Sequence, residues 1–382
     1  MILGITAITF LLSWAGVLDH LETTGLDTFN ILQRSSDPKH VVIVAIDDED
    51  YKSLFDETSP LCSGKLHEII VAIAKGHPKM IGVDIDTASE RKEAIETEQD
   101  WPPIVWGQDA LLDEKARVFL VQPVLGGRDP ARNMDEAAIA AVPMDSDGII
   151  RRYYRQFAIG EDRKEDSFPW AVVKAACTEP QAAEGCKEVQ HTIDEVKAAG
   201  GKETEFPKHG LKMNFAGQRF NFKPLSARFV LQVGSEPGWD ISSPLREKIV
   251  LLGGVYHAAR DTQITPVGPM AGVQLMAQAI ETEFSGGGVR PLMNEVVAAL
   301  LDLCSGAVMV YISYRNRLHL DRALLISLGV LVIFPLLCSL VAFSTLARWF
   351  NFVPMIVGVL LHELYEHGRE YQHLRELYLH EI

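Results

Sequence analysis

"HVVIVAID", residues 40–47, decides the fold. Between His40 and Asp47 the chain runs through Val41, Val42, Ile43, Val44, Ala45 and Ile46 without a polar break. A strand with one wet face alternates apolar and polar residues. A strand covered on both faces reads as a continuous apolar run, which belongs to a parallel sheet with helices on each side. Downstream, "LHEIIVAIAKG" (66–76) has helical spacing and ends on Gly76, a residue suited to a helix terminus. "KMIGVDID" (79–86) is a second doubly buried run, so 40–86 predicts a β-α-β unit.

Working outward, "ARVFLVQPV" (116–124) continues the strand pattern, and "GIIRRYYRQFAI" (148–159) predicts one long strand with a wetter face. "SFPWAVVKAAC" (167–177) predicts a helix, and 178–206 a peripheral helix and loop. "LKMNFAG" (211–217) and "REKIVLLGGV" (246–255) predict further strands, and "GPMAGVQLMAQAIETEFSGG" (268–287) a helix. The expected class is α/β, a mixed and largely parallel sheet covered by helices.

The rest of the chain is more apolar. Residues 1–18, "MILGITAITFLLSWAGVL", carry no charge, and three further apolar stretches lie between Val296 and Leu361. A crossing helix needs about 20 apolar residues. Four transmembrane helices are therefore expected, at 1–18, 294–313, 323–343 and 347–364, followed by a signalling-type helix at 365–382. The loop "RNRLHLDR" (315–322) has three arginines, which places it in the cytoplasm. The segment 19–290 is then periplasmic and both termini cytoplasmic, in a multi-pass protein of the bacterial inner membrane. Residues 1–18 lack a basic start and a small-x-small cleavage site, which favours an uncleaved anchor over a signal peptide.

The net charge of −15 argues against a nucleic-acid partner. Of five cysteines, Cys304 and Cys338 fall in the expected spans, and Cys62 is left over. Cys177 and Cys186 bracket a short loop and can pair if their compartment oxidises. No spacing suggests zinc, and no cofactor is expected.

The order "LDTFN", "VVIVAIDDED", "KMIGVDID", "MDSDGIIRRYY", "LREKIVLLGGVYHAARDTQITPVGPMAGVQLMAQAI" resembles the CHASE2 sensor domain of bacterial membrane receptors, from about Asp27 to Pro291. The resemblance implies an external sensory role without naming a ligand. In such receptors a cyclase or kinase follows the membrane part. This sequence stops at Ile382, so no catalytic output is expected from it.

"VPMDSDGIIRRYYRQF" (142–157) looks like a calcium loop. Setting Gly148 at loop position six puts Asp145 and Asp147 in place, but Pro143 and Tyr154 then occupy the end-ligand positions. The residues fit better as an Asp-rich turn feeding the arginines. Asp47, Asp48, Asp84 and Asp86 end the doubly buried strands, where open α/β sheets bind ligands. Asp47, Asp84 and Asp86 are candidate ligand-binding residues, with Asp261 arriving from "AARDTQITP" and Arg151 as a charge partner. Arg152 and Arg260 are further partners, and a purely structural role in ion pairs or helix caps is the competing reading. No GxSxG, HExxH or P-loop is present, and hydrolysis through the aspartates is the least supported option. Asp302 lies inside the second expected span, a position for helix assembly or for a relay.

Val357, Leu360, Leu364, His367, Tyr371, Leu374 and Tyr378 are spaced alternately three and four residues apart. This is a heptad seam, weakened by its His and Tyr members and by Gly368, through which a homodimer can form. An amphipathic surface helix is the plainer alternative. The expected function is a membrane-anchored sensor relaying a periplasmic signal to a separate cytoplasmic or membrane protein. The alternative is a structural or regulatory subunit of an inner-membrane complex that docks proteins on its periplasmic domain.

Overall fold

A computed structural model describes residues 2–32, 37–87, 101–113, 118–121, 137–159, 163–178, 186–198, 211–213, 215, 222–292, 295–315, 326, 329–346 and 348–380. The chain divides into two units, Arg34–Gly288 and a second formed by Met1–Gln33 with Val289–Ile382. Residues 19–33 therefore group with the helical unit, whereas the sequence reading assigned them to the sensor domain.

In the first unit, six strands form one parallel sheet: β1 (Val41–Ile46), β2 (Met80–Asp84), β3 (Ile104–Gln108), β4 (Ala137–Ile139), β5 (Leu225–Ser226) and β6 (Ile249–Gly254). Their order is β5-β1-β6-β2-β3-β4, with β6 seated between the two strands of the expected β-α-β unit. Successive residues of β1 point to opposite faces. Val44 and Ile46 join a core with Tyr51 and Phe55 of α3 (Asp48–Phe55), Ile69, Ile70 and Ile73 of α4 (Ser63–Ala74), and Val230 of α7 (Ala227–Val233). Val41, Ile43 and Ala45 join a second core with Phe168 and Val172 of α5 (Phe168–Cys177), Val189 of α6 (Cys186–Ala198), and Val273, Met276 and Ile280 of α8 (Gly272–Phe284). Each such aliphatic side chain fully buried contributes about 1.5–3 kcal/mol, which is why both faces of β1 had to be apolar.

Two sequence expectations differ from this arrangement. Within 116–124, Val118–Val121 pairs antiparallel with Ala110–Asp113 in a separate hairpin, and its flanks lie outside the described residues. The single strand expected at 148–159 is two short pieces: Arg152–Tyr153 pairs with Leu211–Lys212, and Gln156–Ile159 with Arg163–Asp166. The sheet positions are filled instead by β3 and β4, which the sequence reading passed over.

The second unit holds α1 (Ile2–Trp14), α2 (Asp19–Leu32), α9 (Glu295–Arg315), α10 (Phe334–Leu346) and α11 (Val353–His380). Phe29 anchors one end of it, with ring centroids 5.8 Å from Phe343, 5.2 Å from Trp349 and 5.8 Å from Phe352.

The four expected transmembrane helices are corrected, and the multi-pass topology they implied is left without support. Among the described residues no helix is long and apolar enough to cross a membrane. Residues 1–18 yield a helix of 13 residues, about 20 Å long against roughly 30 Å of hydrocarbon. It stops where Gly16 takes a φ of 73°. In 323–343 a π-turn at Gly329–Ile333 precedes another 13-residue helix. α9 has 21 residues but carries Glu295, Asp302 and Arg315. The apolar part of α11 ends at Leu361, and His362 and Glu363 follow.

Candidate functional site at the sheet's carboxyl edge

All six strands are parallel, so their carboxyl ends share one edge, where side chains emerge that the sheet itself does not use. Asp84 is the last residue of β2 and lies in register with Gly253 of β6. Asp86 follows it in the next loop, exposed, and Asp109 follows β3. Asp261 comes from the loop after β6 and is partly buried. Its carboxylate lies across Gly272, the first residue of α8. A Cβ on Gly272 would collide with the Asp261 carboxylate, so only glycine admits this approach. The Gly272 N–H donates to the Asp261 carbonyl at 3.0 Å, and Gln263 Nε2 donates to Asp261 Oδ1 at 3.3 Å.

The electrostatics tie these carboxylates together. Burial, and then the charges of Asp261 and Asp109, push the Asp84 carboxyl up to about 7. Burial, and then Asp86 and Asp261, raise Asp109 as well. Like charges gathered in a partly desolvated place hold protons, so this edge accepts a proton or a positively charged or hydrogen-bond-donating group. Among the described residues no group of three or more His, Cys, Asp or Glu side chains is arranged to hold a metal ion.

Two of the sequence candidates are engaged in local structure. Asp47 is the N-cap of α3, its Oδ1 accepting from the Asp50 N–H at 2.8 Å. Arg151 closes the 145–151 turn. Its guanidinium donates to both Asp147 oxygens, at 2.9 and 2.8 Å, and to Asp145 Oδ2 at 3.1 Å. Gly148 supplies the turn's φ of 81°, and the Arg151 contact holds the Asp147 carboxyl below its ordinary range. Both aspartates that resembled calcium ligands are thus engaged by an arginine. Arg260 ends a short 3-10 turn, exposed. Asp302 lies on α9, and its side chain is outside the described part. Cys177 and Cys186 are joined in a disulfide.

Sequence reasoning missed Asp109, because the strand that delivers it was missed. It also passed over a buried polar cluster at the other end of α8. Glu281 accepts from the His40 N–H at 2.7 Å, the Val41 N–H at 2.9 Å and His40 Nδ1 at 3.0 Å. Glu283 accepts from Tyr153 at 2.6 Å and from two Arg155 nitrogens at 2.8 and 2.9 Å, and Arg155 also lies 4.9 Å from the Trp170 ring centroid. The signal available was the pair of acidic residues in "AIETEF", out of place on a helix buried around its whole circumference.

Comparison with known families settles what kind of module this is: the CHASE2 domain family's model matches residues 4–312, most of the chain. The chain belongs to the CHASE2 domain family. A CHASE2 domain is an extracytoplasmic sensor and is generally non-catalytic, so the role of this one is sensory. The match extends from the parallel sheet into α1 and through most of α9, so the CHASE2 unit includes helical segments as well as the sheet. No curated protein and no solved structure matches the chain.

Proposed function

We propose that this CHASE2 protein works on the periplasmic side of the bacterial inner membrane. There it binds a small cationic or hydrogen-bond-donating molecule at Asp84, Asp86, Asp109 and Asp261. The bound state is passed to a separate membrane or cytoplasmic protein, and the chain itself performs no chemistry. The observation that carries this reading is the gathering of Asp84, Asp109 and Asp261 at the carboxyl edge of the sheet, where burial and the charges of Asp261 and Asp109 raise the proton affinity of Asp84. A site that holds an extra proton at neutral pH exchanges it for a cation, so ligand affinity rises with pH through about 7.

The test is a calorimetric titration of the full chain with a panel of polyamines, amino acids and divalent cations at pH 6 and pH 8. The expected result is a ligand that binds at least tenfold more tightly at pH 8 and that Asp84→Asn weakens at least tenfold without unfolding. Failure of every probe in the panel at both pH values would sink the reading.

A docking role is the second reading, favoured by Phe229 and Ile241, which are exposed apolar residues in the helical layer over one sheet face. A stoichiometric protein partner whose binding is lost on Ile241→Asp, with no response to small molecules, would select it.

A further inference from the structure

Helix α8 has the carboxylate edge at its start and both chain crossings of its unit near its end. At the start, Asp261 lies against Gly272, whose N–H donates to the Asp261 carbonyl at 3.0 Å. The next residue, Val273, packs so closely on Gly253 that a Cβ there would collide with it, and Gly253 is the register partner of Asp84. In the last turns Glu281 Oε1 accepts from the N–H groups of His40 and Val41, and its Oε2 pairs with His40 Nδ1. Glu283 is held there by Tyr153 and Arg155. Val41 opens β1, soon after the chain enters this unit at Arg34, and Glu281 comes shortly before the chain leaves it at Gly288. One buried carboxylate thus fastens the incoming chain to the outgoing one.

We propose that α8 carries the state of the carboxylate edge to the two chain crossings, with Asp261 as the positioning residue at one end and Glu281 at the other. Every residue of α8 except Gln274 is buried. A close-packed interior leaves such a helix no room to bend locally, so a change at one end displaces the whole rod, about 20 Å long. The change is electrostatic. The Asp261 carboxylate sits where the helix dipole is positive, and a proton or a bound cation on it cancels that attraction. The first turn of α8 is then held less firmly against the edge. At the far end Glu281 cannot shift without drawing on the first two N–H groups of β1 and on the His40 ring, because these occupy both of its oxygens. The role presupposes that the edge is where a ligand acts, but its test needs no ligand, so the two readings fail separately.

The experiment follows hydrogen exchange of the full chain by mass spectrometry. Asp261→Asn keeps the side chain's shape and removes its charge, as an occupied edge does. It is expected to speed exchange of the His40 and Val41 amides roughly fivefold or more, while α4, which packs on the other face of the sheet, exchanges as in the parent. With Glu281→Gln already in place, Asp261→Asn should produce no further change at His40 and Val41. Should Glu281→Gln fail to fold, His40→Phe serves instead: it keeps both backbone N–H bonds and the stacking on Phe284, removes the ring nitrogen that pairs with Glu281, and should at least halve the response. Unchanged exchange at His40 and Val41 in Asp261→Asn overturns the proposal. So does a response that survives the second substitution undiminished, or an equal acceleration in α4, which would mean general loosening of the unit.

Discussion

Asp84 shows how a single carboxyl couples stability to pH. Its proton affinity in the folded chain is raised to about 7 from an ordinary value of 3.8, with burial the largest cause. Between those two values the folded chain binds more protons than the unfolded one, so stability falls as pH rises from about 4 to about 7 and levels off above. The full effect is at most about 4 kcal/mol at 1.36 kcal/mol per unit, and solvent reaching the partly exposed edge reduces it. Asp84→Asn removes the ionisation. Urea denaturation is expected to show the variant more stable than the parent at pH 8, similar at pH 4, and flatter between. A parent whose stability rises over this range would contradict the assignment.

At the scale of elements, two helix starts depend on one aspartate. Asp50 is fully buried; it accepts from the Ser226 hydroxyl at 3.0 Å and from the Ala227 and Arg228 N–H groups at 3.0 and 3.3 Å, at the start of α7. It also completes the cap of α3 by accepting from the Asp47 N–H at 3.4 Å. α3 follows β1 and α7 follows β5, neighbouring strands, so this side chain locks two strand-to-helix turns together. Asp50→Ala leaves several buried donors unmet and is expected to cost roughly 2–4 kcal/mol, measured by thermal unfolding, with Asp50→Asn recovering part. A loss below about 0.5 kcal/mol would mean water replaces the carboxylate.

For the whole molecule, the two units predict separable stabilities. The Cys177–Cys186 disulfide closes a nine-residue separation inside the α/β unit. By loop-closure entropy it contributes about 2–3 kcal/mol. Hydrogen exchange followed by mass spectrometry should therefore show that a reductant lowers protection in α5 and α6 while α9 and α11 keep theirs. Equal loss in both units would mean that they unfold as one.

How much was legible in the sequence differs by unit for a physical reason. The runs in β1, β2 and β6 reported a doubly covered sheet because burial on both faces is a local demand that every residue of the strand must meet. Strand β4 was missed because "AAI" is short and β3 because "IVWGQ" is apolar over only its first three residues, and the burial of both comes from what packs on them. Asp84 and Asp86 were placed at the sheet's carboxyl edge by the doubly buried run that precedes them, and Asp261 by the loop after β6. Asp47 ends a strand in the same way and Arg151 was expected as a charge partner, but local hydrogen bonds engage both, Asp47 at the cap of α3 and Arg151 with Asp145 and Asp147. The apolar stretches of the helical unit gave hydrophobicity correctly and helix length wrongly. A hydropathy run does not register a left-handed glycine at 16 or a π-turn at 329–333.

By itself the sequence determined the layered parallel sheet, the carboxylates at its edge and the heptad stripe of α11, since each is written in local periodicity. Tertiary structure alone decided that Asp109 stands near Asp84 and Asp261, that Asp47 caps α3, and that Arg151 binds Asp145 and Asp147. Those outcomes depend on which distant segments compete for the same hydrogen bonds and the same buried surface, and no local pattern records that competition.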